Sequence, residues 1–132
     1  MVRSALLTAT EIGMLAYWVA AALVCIGVLS ISPELMYSDY RNALVVAWNW
    51  SFLPIDVLFA VLGLWARFGH LDARRRAVIS TIALSLMFCA GAMAISYWAI
   101  NLQFDAFWWT ANLWLMLLSG LELSKRLGAI HG

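Results

Sequence analysis

The residues of this chain best placed to do chemistry are those that hydrocarbon would expel. Asp56 is the sharpest case. It lies in WNWSFLPIDVLF, residues 48–59, where its polar company is Asn49 and Ser51. An ionisable group in the middle of a bilayer costs about 2.5–3.5 kcal/mol on insertion scales, so it is kept where it faces a bundle interior or a wet cavity. Counted from Leu44 at helical rise, Asp56 lies about 18 Å along its apolar segment, close to the midplane. The basic residues of the other segments lie near their ends, away from that depth. A carboxyl held there without a cation is expected as the neutral acid, a donor of a proton or a hydrogen bond. Pro54 has no N–H to give to the carbonyl of Trp50, which predicts a kink or an exposed carbonyl beside the acid.

Helical spacing gathers further residues around Asp56. Asn49 precedes it by seven positions on the same face, which Phe52, Phe59 and Gly63 continue. In the last apolar segment Asp105, Trp108, Asn112, Ser119 and Glu122 form a matching stripe, with Asn112 about 10 Å from its outer end. Asp56 as proton donor, with Asn49 and Asn112 to orient it, is the candidate catalytic set. Tyr17, Trp18, Phe52, Tyr97, Trp108 and Trp109 are the candidate ligand-binding residues, since aromatic faces cover apolar ligands and stabilise cations. A second reading stands beside this one. Asp and Asn in a bundle can simply bond between helices, at about 0.6 kcal/mol on average. Trp48, Trp50, Trp65, Trp98, Trp108 and Trp109 lie near segment ends, as an interfacial belt would.

The elements that must position these residues follow from composition. Of 132 residues 65% are hydrophobic and 11% charged; a soluble domain carries about 25% charged residues. The chain is expected to be an integral membrane protein with one domain, residues 1–132. Four apolar segments, about 5–30, 44–66, 77–100 and 105–125, are each long enough to cross about 30 Å of hydrocarbon. The fold class predicted is all-α, a membrane four-helix bundle. The first segment reads as a retained span rather than a signal peptide, since Glu11 interrupts it and it runs on too long for an h-region. CAGAMAIS, residues 89–96, supplies small residues for close helix approach. The first connection has turn and polar residues at Pro33, Ser38, Asp39 and Asn42.

Arg3, Arg67, Arg74, Arg75, Arg76, Lys125 and Arg126 fall on one side of a four-span chain and Arg41 on the other. The positive-inside rule then places both termini in the cytoplasm, in a multi-pass protein of the cytoplasmic membrane. The same asymmetry makes ARRRA an orientation anchor, and no nucleic-acid partner is expected. Glu11 and Glu122 lie at depths where Arg3, Arg67, Lys125 or Arg126 can reach them. Glu122 stands four residues before Arg126, the favourable order for a pair. Cys25 and Cys89 read as buried small hydrophobes roughly 12 Å apart in depth, too far for a disulfide. His70 and His131 have no partner at ligand spacing, so neither metal nor cofactor is expected.

Three stretches carry a resemblance: TEIGMLAYW in the first segment, YSDYRNALVVAWNWSFLPIDVLF through the second, and AISYWAINLQFDAFWWTANLWL across the last two. Together they resemble the YvaD-like family of small bacterial four-span membrane proteins. That resemblance implies a bacterial cytoplasmic membrane and no mechanism. More distantly, LPIDVLF is similar to the acid-bearing pattern of lycopene cyclase subunits, matching at Asp56 alone. Ile55 and Val57 stand where a paired acid would. The arrangement is also similar to the EXPERA fold of sterol isomerases, in which four spans enclose a lipophilic pocket. Glu11 and Asp56 would be the corresponding acids.

Three functions remain open on the sequence. The first is a cyclase or isomerase of an isoprenoid- or sterol-like molecule acting by protonation. The second is a non-catalytic protein that binds a lipid or amphiphile or docks to a membrane partner, including a second copy. The third, least supported, is a small proton-coupled transporter. The partners expected are membrane lipids and a lipophilic small molecule.

Overall fold

The computed structural model describes residues 2–32 and 39–128. Among these the chain is all-helical, with α1 Val2–Cys25, α2 Ala43–Ser51, α3 Leu53–Phe68, α4 Ala73–Ile100 and α5 Ala106–Gly128. The α2 and α3 helices form one interrupted rod, so the bundle has four rods. Three of them, Arg3–Cys25, Ala43–Phe68 and Ala73–Ile100, are long and apolar enough to cross a membrane. The fourth, α5, has no charged residue from Ala106 to Leu121, then Glu122, Lys125 and Arg126 in its last turns. Ile12, Val19, Val61, Ile82 and Leu117 are exposed along the outside. Water would be a poor solvent for that surface, and hydrocarbon suits it.

Local chemistry fixes the helix ends. The α1 helix stops at Cys25, short of the end of its apolar run, because Gly27 adopts φ 75°. Val28 N–H then donates to the Leu23 carbonyl at 2.9 Å and Gly27 N–H to that of Val24 at 3.0 Å, a glycine-ended cap. Asn42 caps α2 by accepting from Leu44 N–H at 3.0 Å. Asp72 caps α4 by accepting from Arg75 N–H at 2.8 Å. Arg74, Arg75 and Arg76 thus belong to the first turn of α4 rather than to a loop. Pro33, Ser38 and His131 lie outside the described residues.

The α3 helix is central, packing against α1 on one side and α4 on the other, and α4 packs against α5. The outermost pair, α1 and α5, makes no comparable packing, which leaves a lateral gap between them. Phe59, Met87 and Trp98 are fully buried in the interior. At Gly91 a Cβ would come within 2.6 Å of the Asn112 backbone oxygen, so the small residues of α4 do set its distance from α5. Cys25 and Cys89, expected inside, are free and exposed. An outward thiol is equally compatible with hydrocarbon, so burial was not required of them.

Candidate functional site

The interruption at Phe52 places a helix start inside an apolar rod. Phe52 N–H turns back to the Asn49 carbonyl at 3.1 Å, and Asp56 N–H to that of Phe52 at 2.9 Å. Pro54 sits in the opening turn of α3, where its missing N–H costs nothing. Asp56 is in the same turn, at the positive end of the helix dipole, and it points inward. The Trp18 indole N–H donates to Asp56 Oδ2 at 3.0 Å. Asp56 Oδ1 is buried and has no hydrogen-bond partner among the described residues. Trp18 is held in turn by Tyr17, edge-on at 5.2 Å, and by Trp50 at 5.5 Å.

A cavity of about 480 Å³ lies at the α1–α5 gap with Asp56 on its wall. Tyr17, Phe52, Trp108 and Asn112 also line it, so five of the expected residues share one space. Trp18 backs it through its bond to the acid. Neither asparagine orients Asp56. Asn112 Nδ2 donates to the carbonyl of Trp108 on its own helix at 2.9 Å. Asn49 is buried about two turns nearer the bundle end, and its Oδ1 is without a partner among the described residues. The side-chain donor to Asp56 is Trp18, an indole where the sequence suggested amides.

Tyr97 and Trp109 are not on the cavity wall. Tyr97 stacks on Trp48 at 4.0 Å, and Trp48 also meets Phe52, Trp98 and Trp108. Trp109 turns to the α4–α5 connection, beside Phe104 and with its indole on the Gln103 carbonyl at 3.4 Å. Trp114, set deeper than the interfacial tryptophans by the sequence, is on the wall, and residues without such a mark complete it: Thr10, Gly13 and Met14 on α1, and Phe107, Thr110, Ala111 and Leu115 on α5. Their spacing of three, four and seven was the available signal. Trp114 donates to Thr10 Oγ1 at 3.0 Å, tying α1 to α5 at one end of the cavity.

The acids of the opposite end behave differently from Asp56. Glu11 is 2% exposed and takes a two-pronged contact from Arg67, at 2.5 and 3.2 Å. Thr8 Oγ1 accepts from the same guanidinium at 2.9 Å. A Cβ at Gly63 would lie 2.0 Å from Glu11 Oε1, so glycine there makes room for the pair. Glu122 pairs with Lys125 at 3.2 Å and Arg3 at 3.7 Å, not with Arg126. Arg126 reaches across to α4 instead, donating to Ser80 Oγ, Thr81 Oγ1 and the Ala77 carbonyl.

Residues 3–127 match the profile of a family of unknown function, DUF5360. The chain belongs to this family. It is also 34% identical over 112 residues to the uncharacterized protein YvaD of Bacillus subtilis (strain 168), across 82% of this chain and 78% of that protein. No solved structure matches the chain. The DUF5360 match runs from the first turn of α1 to the last turn of α5. Both the Asp56 cavity and the Glu11–Arg67 pair therefore fall within the DUF5360 span.

Proposed function

We propose that this membrane protein admits a lipophilic molecule sideways between α1 and α5 and engages its reactive or polar group with Asp56. The observation that carries this reading is Asp56 on the wall of a largely apolar cavity of about 480 Å³, with its Oδ1 buried and without a hydrogen-bond partner among the described residues. That volume lies in the range of small-molecule sites, about 300–1,000 Å³. A buried polar atom left unmade costs about 1–3 kcal/mol, so an occupant that bonds it is favoured beyond its apolar burial.

The chemistry proposed is proton transfer to an alkene. With Oδ2 held by Trp18, the proton of a neutral Asp56 sits on Oδ1. The alkene π pair takes that proton and forms a C–H bond, leaving a carbocation and the Asp56 carboxylate. Aromatic faces of Tyr17 and Trp108 stabilise the cation. The carboxylate then removes a proton from the neighbouring carbon, and that C–H pair becomes the shifted double bond. The acid is restored and nothing else is consumed. Capture of the cation by a second alkene of the same molecule would make the reaction a cyclisation. Isoprenoid- or sterol-like molecules are the substrate class with this reactivity and shape. Transport is disfavoured, because Glu11, the other deeply buried acid, is bound to Arg67 and does not continue a path from Asp56.

The test compares Asp56→Asn and Asp56→Leu with the unaltered protein, purified from its native membrane. Lipophiles retained by each are extracted and identified by mass spectrometry, and their conversion is followed. Asp56→Asn is expected to retain the lipophile and leave it unconverted, and Asp56→Leu to lose it. A folded Asp56→Asn protein with full turnover would remove the acid role and leave non-catalytic binding. Equal retention by Asp56→Leu would remove the site.

A further inference from the structure

The end of the bundle opposite the Trp48 cluster holds a second cavity, of about 670 Å³, to which all four rods contribute. Arg67, Arg76 and Arg126 line it, against two acids, Glu11 and Glu122. Both acids are already engaged: Glu11 by Arg67, and Glu122 by Lys125 and Arg3. The nearby Asp72 caps α4 and pairs with Arg75. Arg76 and Arg126 therefore face the cavity with no carboxylate partner among the described residues.

Their contacts are to neutral oxygens. Arg76 donates to the Leu71 carbonyl at 3.3 Å. Arg126 is tethered to α4 by the Ala77 carbonyl and the hydroxyls of Ser80 and Thr81. A guanidinium has five N–H donors, so both keep some in reserve. The wall joins the first turn of α4 to the last turns of α3 and α5, so the helix dipoles there oppose one another and the positive field comes from the guanidiniums. Ser4 and Ser80 supply hydroxyls. Two uncompensated guanidiniums, one held in place by its neighbours, with hydroxyls beside them, suit a tetrahedral oxyanion.

We infer that this cavity binds a phosphate-bearing anion between Arg76 and Arg126. Two sources share that chemistry, the headgroup of an anionic lipid and a soluble phosphate compound.

The experiment uses the full chain in detergent micelles at constant ionic strength. Dihexanoyl phosphatidic acid and inorganic phosphate are titrated separately. At least one is expected to bind saturably, with affinity falling about tenfold or more in Arg76→Gln and in Arg126→Gln. Arg74→Gln, off the cavity in the same turn, and Asp56→Asn are expected to bind as the unaltered protein does. Binding of the lipid alone assigns a headgroup site, and binding of phosphate as well assigns a site for soluble phosphates. Should Arg126→Gln fail to fold, Arg76→Gln decides, since among the described residues its side chain bonds only a connecting-segment carbonyl. Saturable binding of neither probe, or an equal loss in Arg74→Gln, overturns the inference.

Discussion

Gly63→Ala tests whether Glu11, Arg67 and Gly63 act as a unit. The added Cβ would stand 2.0 Å from Glu11 Oε1 and 2.6 Å from its Cδ. Comfortable contact needs about 3.5 Å, so the carboxylate must retreat by about 1.5 Å. Contacts of 2.5 and 3.2 Å to Arg67 do not survive that displacement. Breaking a buried pair by removing a partner costs about 3–5 kcal/mol. Arg67 is 19% exposed and can turn towards water, so about 2–4 kcal/mol is the better figure for this pair. Alanine returns about 1 kcal/mol of helix propensity. The net expectation is a loss of about 1–3 kcal/mol, read by tryptophan fluorescence during reversible unfolding in mixed micelles. In a Glu11→Ala background the clash is gone, and Gly63→Ala should be neutral or stabilising by up to about 1 kcal/mol. The coupling between the two positions is then about 1–4 kcal/mol. The same Gly63→Ala effect in both backgrounds, or stabilisation in the unaltered protein, would refute the reasoning.

Trp18→Phe keeps a ring beside Tyr17 and Trp50 but leaves both Asp56 oxygens without a donor; a loss of about 1–3 kcal/mol is expected in the same unfolding assay, and no loss would mean the 3.0 Å bond is energetically idle. Trp48→Leu removes the hub of the aromatic cluster and should cost about 3 kcal/mol or more, whereas Trp109→Leu, at the α4–α5 connection, should cost under about 1 kcal/mol. Reporters fused after Gly132 and inserted between Tyr40 and Arg41 are expected on opposite sides of the membrane, the first in the cytoplasm. The same side for both would sink the four-span topology.

The broad architecture was legible because apolar segments long enough to span hydrocarbon have few other fates. Pro54 beside Asp56 was equally legible: a residue without an N–H must open a helix or break one, and here it opens α3. What the sequence could not supply was which helices meet. The inward face was readable for Asp56, but its donor is 38 positions away on α1, and no spacing rule links Trp18 to it. Asn49 shared the face of Asp56 yet differs in depth. Arg126 stood at favourable spacing from Glu122, but the oxygens of α4 lay within reach, and surface pairs at that spacing contribute only about 0.2–0.5 kcal/mol. The open side of the bundle was invisible for a related reason. The order α1, α3, α4, α5 is a tertiary fact that the pattern of no single helix records.

The most direct test is a density map of the protein isolated with its native membrane lipids and never exposed to delipidating detergent. A discrete elongated density is expected in the α1–α5 gap, passing Tyr17 and Trp108, with a reactive or polar group against Asp56 Oδ1. A cavity closed by α1 packing onto α5, with Oδ1 bonded to a side chain of this protein, would contradict it.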